Sequence, residues 1–291
     1  MSALLEPFEF EFFIRGMVAA GLVGALCGAV GIYVVLRRLA YIGHGLAHSI
    51  FGGAVVSFVT GINFYIGATI WGVASALLIN IASRKRQIGG DAAIGIITTS
   101  AFAFGVALIS RGGTFTRDFD AALFGEILGI TSTDLYVIIG TIVGVSLVIF
   151  FFWKQLLFTT FDQSVAATYG VPTILVEVVF SLMLAATVIA SLQVLGVTLI
   201  AAALVIPPVI ARLLTDSFNR MFIYATVVGG LSGFIGVYLS WFANVSSGAA
   251  VVLFQASIFV VVLVAVSLRS HFSVGAGLAD RLAGVGRAGI D

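Results

Sequence analysis

The chain has 291 residues, 60% of them hydrophobic and only 9% charged, with a net charge of +1 and a mean hydropathy of +1.19. A soluble domain carries roughly 25% charged residues and must present a polar exterior, so a soluble fold is excluded. The near-neutral balance also excludes an electrostatic partnership with nucleic acid.

Residues 39–83, 178–211 and 221–268 contain no Asp, Glu, Lys or Arg. A spanning helix needs roughly 20 mostly apolar residues, so each stretch holds two spans or nearly two. Barrel strands alternate apolar and polar residues, which these runs do not, and a membrane β-barrel is excluded. The fold class is all-α: a polytopic membrane protein of about 8–9 transmembrane helices. Three units are expected. Residues 1–12 form an extracytoplasmic segment, 13–268 a single transmembrane domain, and 269–291 a flexible cytoplasmic tail. The acids Glu6, Glu9 and Glu11 precede the first apolar run, the reverse of a basic leader, so a cleaved signal peptide is not expected. The single cysteine, Cys27, cannot form an intrachain disulfide.

In chain order, the first span is expected at 13–36, closed by Arg37 and Arg38. The second and third are expected at 44–60 and 63–82, with a turn near Gly61-Ile62-Asn63, and Arg84, Lys85 and Arg86 mark the next interface. The fourth is 91–110, followed by a polar stretch and a short apolar piece, 121–130, too short to cross. The fifth is 133–153, closed by Lys154. The sixth and seventh, 173–191 and 194–210, are pinched at Gln193 and Gly196; the eighth and ninth are 222–241 and 249–268. With nine spans and an outer N-terminus, eleven Lys and Arg fall on the cytoplasmic side. Only Arg15, Arg111 and Arg117 fall outside. That asymmetry is what the positive-inside rule demands.

Two of the three histidines sit together in Gly43-His44-Gly45-Leu46-Ala47-His48. Positions i and i+4 share a helix face, so both imidazoles can reach one ion. Imidazole suits zinc and iron better than manganese. The plain alternative is a pair of interfacial helix-end residues bonded to lipid or backbone. A histidine-cluster oxygenase would need more ligands than the remaining His271 supplies. A zinc protease helix needs a Glu where Gly45 stands.

Three carboxylates stand near or within spans. Asp91 opens the fourth span, and its plain reading is a helix cap. Glu126 lies in the short piece 121–130, either facing an aqueous vestibule or simply solvated. Glu177 sits one turn into the sixth span as an interfacial residue. Asp91 and Glu126 are thus secondary candidates for a pathway. The midplane is nearly bare of charge, which argues against ion coupling. Lys85 and Lys154 are the only lysines, and neither follows a phosphate-binding glycine loop, so the chain does not hydrolyse ATP by itself. Paired Pro207 and Pro208 are expected to break the seventh span, and a short amphipathic turn follows over Val205–Thr215, which reads equally as a contact with an external energy source or as a plain interfacial loop.

Five stretches together resemble the permease subunits of ABC-type manganese, zinc and iron importers. They are RRLAYIGHGLAHSIFGG (37–53), DAAIGIITTSAFAFG (91–105), LFGEILGI (123–130), FDQSVAATYGVP (161–172) and SLQVLGVTLIAAALVIPPVIARLLT (191–215). The resemblance spans about 16–268 and implies a type II-like importer architecture in a prokaryotic cytoplasmic membrane. It implies two cytoplasmic ATP-binding subunits, an external metal-binding protein, and a second permease copy or a paralogue, in contact with membrane lipid. No cofactor is expected to be bound permanently; the transported divalent metal ion passes through. It also implies that Pro207, Pro208, Arg212 and Asp216 belong to the segment that couples to the ATPase.

That family commonly has an aspartate four residues before the pathway histidine. Here His48 matches the histidine and His44 replaces the aspartate. A His/His pair shifts preference from manganese toward zinc or iron, and makes entry sensitive to acid because protonated imidazole cannot ligate. The alternative function is an ion-coupled secondary metal transporter; a non-transporting membrane scaffold is a third.

Overall fold

The computed structural model describes residues 2–83, 87–112, 125 and 127–285, with side chains described within 4–269. The described residues are helical throughout their regular structure and contain no strand. The long helices are α1 (Glu11–Leu36), α2 (Ala40–Thr60), α3 (Phe64–Ser83), α4 (Gly90–Gly112) and α5 (Ser132–Phe161). A short α6 (Gln163–Thr168) follows, then α7 (Thr173–Leu214), α8 (Phe218–Ala243) and α9 (Ser247–Val285). Eight of these, all but α6, contain a stretch long and apolar enough to cross a bilayer.

Local sequence explains where the helices begin and end. Gly61 adopts φ 71° and closes α2, its N–H bonding back to the carbonyl of Phe58. Thr131 and Asp134 cap α5 reciprocally, each side chain accepting from the other residue's backbone N–H. Asp162 caps α6 by accepting from the N–H groups of Ser164 and Val165.

The 42-residue α7 is broken at Gly196, whose φ of 71° and ψ of 163° are accessible to glycine and not to residues with a Cβ. Its neighbours show what the break does. The Arg37 guanidinium lies 4.3 Å over the Phe180 ring, and Cys27 Sγ lies 3.4 Å from Ser191 Oγ. The first half of α7 therefore runs antiparallel to α1. A straight continuation would carry Leu204 about 20 Å beyond Ser191, toward the Phe13 end of α1. Leu204 instead lies back against Gly31 and Gly43. The chain reverses at Gly196, so the eight helices make nine passes among the described residues. The expected sixth and seventh spans are the two halves of α7.

Two expectations need correction. Pro207 and Pro208 do not break the helix: both are buried within α7, which runs on to Leu214. Pro208 lacks the N–H that would bond the Leu204 carbonyl, and that carbonyl lies against the bare Cα of Gly31. A turn that Gly31 accommodates thus survives its missing hydrogen bond. Lys154 does not close the fifth span, because no helix breaker intervenes before Asp162 and α5 continues to Phe161. The backbone of α9 is helical to Val285.

Helices α1, α2 and α7 are mostly buried, while α5 and α9 lie at the periphery. Contact between α1 and α8 is backbone on backbone. A methyl added at Gly24 would fall 2.2 Å from the Gly229 carbonyl oxygen, and one at Gly229 would fall 2.1 Å from the Gly24 oxygen. Lipid supplies no hydrophobic drive for helix association, so such close approach through small residues is what holds a membrane bundle together. The two ends of the bundle differ. At one, Gly16 meets Ile127 and Gly125 meets Val194 and Gly196. At the other, called here the arginine end, Arg37 meets the end of α5 and the start of α7.

Candidate functional site

Helix α2 starts at Ala40, one turn earlier than the composition suggests, so His44 and His48 lie inside the helix instead of at its first residues. Glycines bring α4 against them. A methyl at Gly45 would sit 2.8 Å from Ile94 Cγ2 and 2.9 Å from Thr98 Cγ2, and one at Gly52 would sit 2.4 Å from the Ala101 carbonyl oxygen. Helices α2 and α4 thus pack closely, and His44 and His48 stand half-buried beside the contact, with His48 against Phe102, in what is called here the histidine slot.

Nε2 of His48 lies 3.2 Å from Nε2 of His44, and the ring planes stand at 78° with centroids 4.5 Å apart. Phe102 of α4 packs edge-on against His48 at 5.0 Å, and Tyr41 stands 6.1 Å from His44. The Nδ1 atom of His48 is buried without a hydrogen-bond partner. Imidazole nitrogens hold zinc at about 2.0–2.1 Å, and at that length a 3.2 Å separation subtends about 100° at a shared ion, near the tetrahedral angle. The pair is therefore shaped either to share one proton or to share one cation. No group of three or more His, Cys, Asp or Glu side chains converges among the described residues.

The other predicted residues are dispersed. Asp91 stands exposed in the first turn of α4, one turn before Ile94, and does not join the histidines in a cluster. Glu126 lies outside the described residues. Pro207 and Pro208 are buried against α1, while Arg212 and Asp216 are exposed at the arginine end beside a three-residue connection to α8.

One feature escaped sequence reading. At the arginine end lies a cavity of about 570 Å³, whose lining includes neither histidine. Ile42 and Ile94 form its upper part, and Asn80, Gln163, Glu177 and Arg37 supply polar lining. Arg37 is half-buried and held on three sides. Its Nε donates to Thr160 Oγ1 at 3.0 Å and its Nη2 to Thr159 Oγ1 at 2.9 Å. Those hydroxyls donate in turn to the carbonyls of Leu156 and Gln155, which leaves their lone pairs for the guanidinium. Phe180 covers its face. Burial lowers the Arg37 pKa to about 10, with Glu177 acting against that, so the group keeps its charge at neutral pH. Gln163 Nε2 donates to the Glu177 carboxylate. The only sequence signal was Arg37 itself, and a basic residue after an apolar run ordinarily reads as an interface marker.

Comparison with known proteins gives a consistent result. The profile of the ABC 3 transport family matches residues 9–266. The manganese transport system membrane protein MntC of Halalkalibacterium halodurans is 35% identical over 254 residues, covering 87% of each chain. The chelated iron transport system membrane protein YfeC of Yersinia pestis is 30% identical over 259 residues, 89% of this chain and 88% of the relative. Among solved structures, PsaBC from Streptococcus pneumoniae in complex with Fab superposes with a TM-score of 0.81 at 30% identity. It covers 90% of this chain and 94% of the matched chain.

Proposed function

The chain belongs to the ABC 3 transport family, and on that premise we propose how it works as the membrane-spanning subunit of an ATP-driven importer of a divalent transition metal. It is a multi-pass membrane protein, and an importer of this family works with an ATPase and a substrate-binding protein. The metal arrives from an external binding protein and passes the His44/His48 slot. A second copy of the permease, or a paralogue, completes the membrane unit. The N-terminus lies outside and the arginine end faces the cytoplasm, as the distribution of basic residues favours.

The single observation that carries this reading is the 3.2 Å approach of two imidazole Nε2 atoms in an otherwise uncharged helix. Two nitrogens in place of an Asp/His pair favour zinc or iron over manganese. The ATPase docks on the exposed surface around Arg212, Asp216 and the neighbouring α6, with the buried prolines stiffening the end of α7 that transmits its motion.

The test is reconstitution with the ATPase and the binding protein in liposomes, following zinc, iron and manganese uptake one by one. ATP-dependent uptake of a divalent metal, lost in His48→Ala with assembly intact, is the expected result. Metal uptake by the permease alone, driven by an ion gradient, would establish a secondary carrier in its place.

A further inference from the structure

We propose that the face formed by α1, α5 and α8 binds one anionic phospholipid of the arginine-end leaflet, with an acyl chain in an apolar groove and the headgroup phosphate at Lys154. The inference needs only that the chain spans a membrane, and it concerns neither the histidine pair nor the cavity that Arg37 lines.

Depth comes first. Helix α5 has 30 residues and is about 45 Å long, whereas the hydrocarbon core of a bilayer is about 30 Å thick. The Thr131/Asp134 cap fixes one end of α5 at an interface, because a carboxylate there belongs in water. Lys154 stands about 20 residues further on, roughly one core thickness, so its ammonium reaches headgroup level at the arginine end. Shape comes second. A groove of about 380 Å³ lies between the three helices, floored by Ala25 and Ala29 and walled by Phe222 and the α5 face from Ile142 to Trp153. The rise from Ile142 to Trp153 is about 16 Å, close to half the hydrocarbon core and so to the depth of a single leaflet. Ser146 and Thr226 are the only hydroxyls in the lining, and no ionisable side chain enters it, which suits an acyl chain. Charge comes third. Phe150 and Trp153, at the arginine end of the groove, also line an adjoining crevice completed by Phe151, Lys154 and Gln155. No Asp or Glu lines this crevice, and Lys154 belongs to no ion pair among the described residues. A zwitterionic headgroup would bring an ammonium that finds no carboxylate here. An anionic one brings only the charge that Lys154 complements. Trp153 stands where groove and crevice meet, the level at which tryptophan anchors membrane helices.

The experiment reconstitutes the full chain in nanodiscs of equal phosphatidylglycerol and phosphatidylcholine, extracts it in mild detergent, and reads the retained phospholipid by native mass spectrometry. Wild type is expected to retain phosphatidylglycerol over phosphatidylcholine by about fivefold. Lys154→Gln, a change at an exposed residue, should bring that ratio to about one, while Lys154→Arg keeps the preference. Ser146→Trp fills the groove from its exposed wall and should remove retained lipid of either kind. Equal retention of the two lipids by wild type, or a preference unchanged in Lys154→Gln, overturns the headgroup assignment. Retention unchanged in Ser146→Trp overturns the groove. Excess soluble glycerol phosphate should leave the lipid in place; displacement would show a site for phosphate alone and overturn the lipid. A Ser146→Cys chain that cross-links to a second copy through that cysteine puts protein in the groove, which also overturns the proposal. The permease reading stands or falls separately, because lipid retention is read without metal or ATP.

Discussion

The histidine slot and the arginine-end cavity are adjacent and built on opposite principles. The slot is narrow, lined by glycine and aromatic edges, and carries no fixed charge in α2 or α3. The cavity is wide and holds a half-buried guanidinium and a carboxylate. On the proposed reading, selection in the slot rests on ligand chemistry, because imidazole nitrogens favour ions that coordinate nitrogen. The cavity instead carries charged and polar side chains, Arg37, Glu177, Asn80 and Gln163 among them. On the proposed reading, discrimination belongs to the histidine pair and not to the cavity.

The comparison breaks most readily at His48. Its replacement by alanine is expected to reduce ATP-dependent uptake to background while the complex still assembles; persistent uptake would show that the slot does not touch the ion. Next in size is the width of the slot. Gly45→Val forces a side chain into Ile94 and Thr98, and overpacking of this kind costs about 1–3 kcal/mol. A lower melting temperature together with lost uptake is expected, and a normal melt with normal uptake would mean that α4 does not press on α2 as described. His44→Asp is a smaller, qualitative change. An oxygen ligand in place of a nitrogen should move the zinc-to-manganese uptake ratio toward manganese by about tenfold. Parallel competition assays read that ratio, and no movement would remove His44 from the selection step.

The smallest effect lies at the rim of the cavity. The N–H of Val165, followed by Ser164, holds the Asp162 carboxyl below its usual pKa. A depressed folded-state pKa means stabilisation that is present above the ordinary aspartate value, near 3.9, and lost as pH falls through the folded value. Asp162→Ala should therefore loosen α6 at neutral pH, with faster amide exchange at Ser164 and Val165. The difference from wild type should vanish in strong acid. Equal exchange at neutral pH would show that the cap does not hold α6.

Much of this architecture was legible from residue order. Charge-free runs located the spans, because hydrocarbon tolerates no unpaired ionic group, and the i, i+4 spacing of His44 and His48 put both rings on one face. The segment Pro207 to Asp216 was less transparent. A proline pair signals a break unless a neighbour leaves room for the displaced turn, and Gly31, far away in sequence, is that neighbour. Lys154 misled for a related reason: one cation on the exposed face of a long helix resembles a helix end.

Sequence by itself determined the membrane class, the positions of the helices, the family and the histidine pair, all of which depend on local composition and spacing. Tertiary structure alone decided that α7 doubles back, that α4 closes against α2, and that Arg37 is trapped between Thr159, Thr160 and Phe180. These are long-range contacts. The partners lie more than a hundred residues apart for Arg37, and no periodicity within one helix encodes which face of another it will meet. The charge that composition assigns to a membrane interface becomes a half-buried, directed one only when α5 and α7 fold around it.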